Sequence, residues 1–168
     1  MTAPGPAAVR VFPGRADQAA EARRWVRGLA TGAAGLACAD AEVVVGELFA
    51  NAVQHTRSGQ EGGTVTVAVD ANGFIHVHDL GTAGQPACLA LAQAAPGGLQ
   101  MLEVSGRGLF IVAALCPERE SRPAARCPAA GTGDPAASAG GCCIACRPQS
   151  WPPRQDQARP GVADARAS

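Results

Sequence analysis

The 168-residue chain contains no lysine, since all 14 of its basic residues are arginine. P-loop nucleotide sites, protein kinases of the eukaryotic type and Schiff-base chemistry all need a lysine amine, so the sequence excludes these three mechanisms. Fourteen acidic residues balance the arginines and give a formal net charge of zero. A neutral chain lacks long-range attraction for phosphate-rich partners, so we expect neither direct nucleic-acid binding nor membrane binding.

Long apolar runs are also absent. No stretch approaches the roughly 20 apolar residues of a transmembrane helix, and residues 1–13 lack the apolar core of a signal peptide. The sequence therefore predicts a cytoplasmic protein. Its seven cysteines are odd in number and irregularly spaced, which favours reduced thiols over a disulfide framework.

The length fits one domain with loose ends. We expect a flexible lead-in at 1–8, one domain at 9–147 and a disordered tail at 148–168, where no periodic apolar pattern occurs. The predicted elements are a strand at 7–12, a helix at 15–30, a helix capped by Asp40 and ending near 56, hairpin strands at 64–70 and 74–79, a short helix at 87–94, an irregular stretch at 95–105, a helix at 109–115, a long loop at 117–141 and a final strand at 142–146.

The hairpin predicts a sheet with one apolar and one solvated face. Alternation places three valines of the first strand (65, 67 and 69) with Ile75, Val77 and Asp79, while Thr64, Thr66, His76 and His78 point the other way. Such a sheet needs helices on its apolar side alone. The predicted fold class is therefore α/β: a two-layer α/β sandwich with a mixed, mainly antiparallel sheet and helices on one face.

Two patterns resemble metal sites. Cys143 and Cys146 form a CxxC, but residues three apart on a strand face opposite sides, which argues against shared zinc or redox chemistry. His76 and His78 form an HxH on the face predicted to be wet, and the pattern places no carboxylate beside them. We therefore interpret both histidines as solvated.

A column of polar residues follows the second predicted helix. Glu47, Asn51 and His55 recur every four residues and share one stripe at the margin of the apolar face, where a pocket wall would lie. A solvated stripe is the alternative interpretation. His55, at the helix end, fits a packing or hydrogen-bonding role better than a proton shuttle.

Two further segments can complete a site. Asp79 is directed towards the helix layer, where a carboxylate must find donors or change its ionisation, and glycines 81 and 84 follow it in a flexible loop. Next, Gly106-Arg107-Gly108 opens a helix whose free N–H groups can hold phosphate oxygens. Either segment alone is weak evidence, whereas three elements in this order are more specific.

These residues resemble the GHKL (Bergerat-fold) ATPase superfamily, and within it the bacterial branch of anti-sigma factors that act as serine protein kinases. The resemblance runs from about 9 to 147. The segment 47–55 (ELFANAVQH) resembles the N box, 79–86 (DLGTAGQP) the first glycine box and 106–109 (GRGL) the second.

The resemblance implies ATP and Mg²⁺ as ligands. Asn51 would bind Mg²⁺, Asp79 would accept from the adenine amino group, and Glu47 would be the catalytic base for the attacking hydroxyl. Arg107 can replace the absent lysine as a counter-charge to phosphate. The nucleotide-binding residues implied are Asn51, His55, Asp79, Gly81, Gly84, Gly106, Arg107, Gly108, Leu109 and Cys143.

The final strand departs from the family pattern. Where the branch usually has Gly-Gly-Lys-Thr, with the threonine near adenine, this chain has Gly140-Gly141-Cys142-Cys143. A thiol at Cys143 hydrogen-bonds more weakly than a hydroxyl, so we expect weaker adenine binding.

Three functions remain open at this point. The chain transfers the ATP γ-phosphate to a serine of an anti-sigma-factor antagonist, or it sequesters a sigma factor with ATP as a structural ligand, or it is an ATP-gated binding module that regulates another process. The resemblance also allows a homodimer through the sheet edge or first helix, although no residue pattern indicates one.

Overall fold

The computed structural model describes residues 6–29, 36–82 and 106–151. The predicted helix at 87–94, the irregular stretch at 95–105 and the tail from 152 onwards lie outside these ranges. The elements are β1 (Pro6–Pro13), α1 (Gln18–Leu29), α2 (Leu36–His55), a 3₁₀ turn (Arg57–Gly59), β2 (Thr64–Asp70), β3 (Ile75–Asp79), α3 (Gly106–Leu115), β4 (Glu118–Pro123), a second 3₁₀ turn (Ala124–Arg126), α4 (Pro135–Ser138) and β5 (Cys142–Arg147).

The five strands form one antiparallel sheet in the order β1-β2-β3-β5-β4. The predicted α/β sandwich is confirmed, and all strand pairs in the described residues are antiparallel where the prediction allowed a mixed sheet. In the register, Val67 lies opposite Val77, His78 opposite Cys143, and Asp79 opposite Cys142. The last strand therefore runs directly beside the strand that ends in Asp79.

Large apolar side chains fill the face that α1, α2 and α3 cover. The Phe12 ring meets the Phe49 and Trp25 rings edge-on, with centroids 5.9 and 6.0 Å apart. Val26, Val44, Leu48, Val67, Ile75, Val77 and Val112 are buried in the same cluster. This is the face predicted from the alternation of the hairpin and the helical period.

The prediction of a solvated opposite face is wrong. Thr66, His76 and His78 are at most 2% exposed. The connection between β4 and β5 packs on this face, and its Asp134 accepts from the Thr66 hydroxyl at 3.1 Å and binds His78 Nδ1. Although burial opposes a charged imidazole, Asp134 and Cys127 raise the pKa of His78 to about 9. Side chains do alternate between the two faces as predicted, but a segment distant in sequence covers the second face.

The segment predicted as a long loop, 117–141, contains β4, the second 3₁₀ turn and α4. The helix α4 is only four residues long: Pro135 stands at its start, and Asp134 caps it by accepting from Ala136 N at 2.9 Å. The sequence did not predict these elements because β4 has no apolar alternation and α4 is too short to show a helical period. The high content of proline, alanine and glycine favoured a loop instead.

Several predicted boundaries shift. The helix α2 begins at Leu36, so Asp40 lies inside it and accepts from the Ser150 hydroxyl instead of capping the helix. Strand β1 begins at Pro6, within the predicted lead-in, and β3 begins at Ile75. The helix α3 begins at Gly106, three residues before the predicted start.

The first residues of the predicted tail pack on the domain. Gln149 N donates to Leu115 O at 3.0 Å, and the Trp151 indole lies against Gly73, where a Cβ would overlap it. Gly73 has φ +81°, so glycine is required in this turn for its conformation as well. Within the three described ranges, no helix is both long and apolar enough to cross a membrane.

Candidate functional site

The N-terminus of α3 packs against the polar column of α2. A Cβ built on Gly108 would overlap Glu47 Oε2, so the end of the Glu47 side chain lies directly against this glycine and would have to move to admit a larger residue. Gly108 is buried and Glu47 is half-buried. The structure therefore brings together two predicted site residues that are 61 positions apart, at a helix N-terminus, where the first backbone N–H groups have no partner within the helix and are suited to an anion.

Asn51 lies one turn further along α2. Its Nδ2 atom is buried and has no hydrogen-bond partner among the described residues. An unsatisfied buried amide costs about 1–3 kcal/mol, and a ligand can remove that cost. The Asn51 amide can offer its oxygen to a hard cation and its NH₂ group to a phosphate oxygen.

Asp79 ends β3 and is 5% exposed. Its Oδ1 accepts from Gly81 N at 2.6 Å. Burial raises the pKa of the Asp79 carboxyl, and the backbone N–H groups of Gly81 and Cys142 partly offset this rise. Gly81 has φ +74°, a conformation that favours glycine, so the chain turns tightly around the carboxylate.

Arg57 and Ser58 hold this turn in place, and sequence reasoning missed both. Arg57 Nη2 donates to Leu80 O at 2.5 Å and to Ala139 O at 2.7 Å, while the Arg57 backbone N donates to Gly81 O at 2.8 Å. The fully buried Ser58 accepts from Leu80 N at 2.9 Å. The sequence shows only that both residues follow α2, a position that predicts the end of a helix.

The structure describes some of the remaining predicted site residues fully and others only in part. His55 is the exposed last residue of α2, and Leu109 packs against the helix-side core. The backbone of Gly106 and Arg107 forms the start of α3, but the Arg107 side chain and Gly84 lie outside what the structure describes.

The expectation for Cys143 is corrected. Its Sγ lies on the opposite face of the sheet from α2, 3.0 Å from Cys127 Sγ and 3.8 Å from His76 Nδ1. Because side chains alternate along β5, the residue facing Asp79 across the ladder is Cys142. A thiol at Cys143 therefore cannot substitute for a hydroxyl beside the Asp79 carboxylate.

The cysteines also differ in oxidation state. Cys116, Cys127, Cys143 and Cys146 are free and buried. Cys142 is disulfide-bonded, which contradicts the expectation of reduced thiols at this position. Cys143 and Cys146 contribute to the two different core clusters, as the strand argument predicted for the CxxC.

The described residues fit a nucleotide with Mg²⁺. They provide a buried carboxylate on a tight turn (Asp79), an unsatisfied amide (Asn51) and a second carboxylate against a glycine at a helix N-terminus (Glu47 and Gly108). An amide oxygen with phosphate and water oxygens is a donor set that Mg²⁺ accepts.

A family model described as a histidine kinase-like ATPase domain matches residues 12–127, which is more than half of the chain. The match includes α2, Asp79 and the start of α3. No curated protein matches the sequence significantly.

Proposed function

The chain belongs to the histidine kinase-like ATPase family, and we infer from the residues of its cleft that α2, the end of β3 and the start of α3 bind ATP with Mg²⁺. The contact between Glu47 and Gly108 carries this proposal, because it joins the polar column of α2 to the helix end suited to phosphate. Family membership supports an ATP-binding regulatory protein.

Each cleft residue has a separate role in the proposal. Asp79 accepts a hydrogen bond from the adenine amino group. Asn51 supplies an amide oxygen to Mg²⁺, and the N–H groups at the start of α3 bind phosphate oxygens. Arg107 adds positive charge there, a role that rests on its sequence position.

We propose that the reaction is transfer of the γ-phosphoryl group to a serine of an anti-sigma-factor antagonist. ATP would supply the phosphoryl group, and Mg²⁺ held by Asn51 would supply the positive charge that neutralises it. Glu47, one helical turn from Asn51, accepts the proton of the serine hydroxyl as the oxygen–phosphorus bond forms and ADP leaves. The resemblance of the N box and the two glycine boxes supports this choice of substrate.

A second candidate is a binding module that sequesters a sigma factor or another regulator, with ATP as a structural ligand. Phe110 and Ile111 on α3 are 67% and 37% exposed, and they lie two and three residues after Gly108. Apolar side chains in this position suit a protein contact that responds to the nucleotide.

Calorimetric titration with ATP, with and without Mg²⁺, tests the site. We expect Mg²⁺-dependent binding by the wild type and a loss of at least about tenfold in affinity for Asp79→Asn. Asp17→Asn is the matched control, because Asp17 is exposed and pairs only with neighbouring residues in the described structure. Absence of wild-type binding at millimolar ATP would contradict the proposal.

Glu47→Gln separates the two candidates. The variant keeps the size of the side chain against Gly108, so ATP binding should persist. Phosphate transfer to a co-purified antagonist, followed by mass spectrometry of the serine, should fall at least about a hundredfold if Glu47 is the base. Partner capture that survives the substitution while the wild type shows no transfer would favour sequestration.

A further inference from the structure

Four side chains of the types that can bind metal ions meet on the face of the sheet opposite α2. His76 and His78 come from β3, Cys143 comes from β5, and Cys127 follows the second 3₁₀ turn. One ligand atom from each residue lies within 4.8 Å of all the others, and all four residues are buried. The cluster is outside the nucleotide cleft, and the proposed phosphotransfer does not use it.

The distances resemble those of a metal site. His76 Nδ1 is 3.3 Å from Cys127 Sγ and 3.8 Å from Cys143 Sγ, and the two sulfur atoms are 3.0 Å apart. Ligand atoms around tetrahedral Zn²⁺ are separated by roughly 3.3 to 3.8 Å, as follows from zinc–nitrogen bonds of about 2.0 Å and zinc–sulfur bonds of about 2.3 Å. The two sulfur atoms would have to move apart, from 3.0 Å to about 3.8 Å, to complete a tetrahedral arrangement.

A carboxylate holds the outer nitrogen of each imidazole. Asp70 Oδ2 lies 3.2 Å from His76 Nε2, and Asp134 Oδ2 binds His78 Nδ1. These contacts leave His76 Nδ1 facing the thiols and leave His78 Nε2 buried without a hydrogen-bond partner in the described part of the chain. Carboxylates in this position fix the ring orientation and strengthen histidine as a metal ligand.

The surrounding core cluster is otherwise weak. It consists of Ala68, Ala129 and Ala145 with the two cysteines, flanked by Phe74 and Ala130. Alanines bury little apolar area, so they contribute little to holding the β4–β5 connection on the sheet. A metal ion bound by β3, β5 and the β4–β5 connection would hold that connection on the sheet more strongly than these alanines can.

We propose that His76, His78, Cys127 and Cys143 form a structural Zn²⁺ site that fixes the 124–138 segment to the sheet. Two thiolates with two imidazoles are a donor set typical of zinc. Four protein ligands in a buried site leave no open position for substrate, so the role is structural rather than catalytic.

Cobalt substitution of the full-length chain tests the site. Metal-depleted wild type, kept reduced with a phosphine and free of nucleotide, is titrated with Co²⁺ and followed by visible absorption. We expect one equivalent to give the intense bands of tetrahedral cobalt with thiolate charge transfer, and Zn²⁺ to abolish them. Cobalt in the Mg²⁺ site would be bound by oxygen ligands and would not show thiolate bands.

Two variants provide the comparison. Cys127→Ser removes one of the two thiolate ligands, so the thiolate bands should fall to about half their intensity and Zn²⁺ should bind at least about tenfold more weakly. Cys116→Ser removes another buried free thiol, on the helix side of the sheet, and should retain them. Circular dichroism verifies that each variant is folded, and elemental analysis of untreated wild type should find zinc close to one per chain.

The cobalt titration and the zinc analysis of the wild type test the proposal even if Cys127→Ser fails to fold. Reduced wild type that shows no tetrahedral cobalt spectrum would overturn the proposal and leave a hydrogen-bonded thiol–imidazole cluster. A Cys127–Cys143 disulfide in the purified protein, with no metal taken up after reduction, would also overturn it. Neither outcome would change the expectation for ATP binding, because the proposed nucleotide cleft lies on the other face of the sheet.

Discussion

The two faces of the sheet are stabilised by different chemistry. The helix side buries Phe12, Phe49 and Leu48 among valines, whereas the opposite side buries alanines, two thiols and two histidines. Apolar packing depends on the amount of buried area, while a polar cluster depends on every partner being present. On the helix side, the loss of stability caused by a substitution should therefore scale with the side-chain volume removed. On the opposite side, it should depend on which specific contacts are lost.

The largest expected effect is on the helix side. Phe49→Ala should lower the free energy of unfolding by about 3–5 kcal/mol, because it removes a fully buried ring from the contact with Phe12. Urea denaturation measures this loss. Phe110→Ala is the matched control: its ring is 67% exposed, and we expect a change within about 0.5 kcal/mol. Equal effects of the two substitutions would contradict the assigned core.

On the opposite face, Asp134→Ala should cost about 2–4 kcal/mol, although little apolar area is lost. The carboxylate accepts from Thr66 and Ala136 N and binds His78, so its removal leaves buried groups without partners. Asp17→Ala, at an exposed ion pair with Arg15, should leave the free energy of unfolding almost unchanged. A small effect at Asp134 would mean that this face tolerates unpaired polar groups.

At the end of β3, where the chain turns after Asp79, Arg57→Ala should lower the free energy of unfolding by about 1–2 kcal/mol and weaken ATP binding by about tenfold. Its guanidinium joins the turn after Asp79 to Ala139 before β5, so its loss should free the carboxylate to move. The exposed Arg126→Ala is the control and should leave both quantities unchanged. Thermal unfolding and ATP calorimetry measure them, and a loss of stability without a loss of affinity would separate Arg57 from the site.

The smallest effect on stability is expected at Asp79, the buried carboxyl on the nucleotide side. Because its pKa is raised in the folded state, the folded protein binds its proton more tightly than the unfolded chain does. Asp79→Asn should therefore be at least as stable as wild type at neutral pH. The difference should shrink as the pH falls through the raised pKa towards the ordinary value. Urea titrations of both proteins across pH 4–8 measure this, and a variant markedly less stable at neutral pH would reject the explanation.

Much of the fold could be predicted from the sequence, and the reason is local. The valines of β2 alternate with period two, and α2 repeats its polar column every four residues, so each element carries its own pattern. The same logic predicted that Glu47 and Asn51 line one stripe and that Cys143 and Cys146 diverge. Strand β4 and the helix α4 lacked any such pattern and were missed.

The sequence by itself determined the helix-side core, the antiparallel hairpin and the order of the three nucleotide-site segments, because spacing along one helix or strand dictates which side chains share a face. Only the tertiary structure decided that His76 and His78 are buried and that Cys127 joins Cys143 beside them. Their meeting depends on β5 lying next to β3 and on the β4–β5 connection crossing the sheet. No local period encodes such contacts, since they join residues 16 to 67 positions apart through the packing of the whole domain.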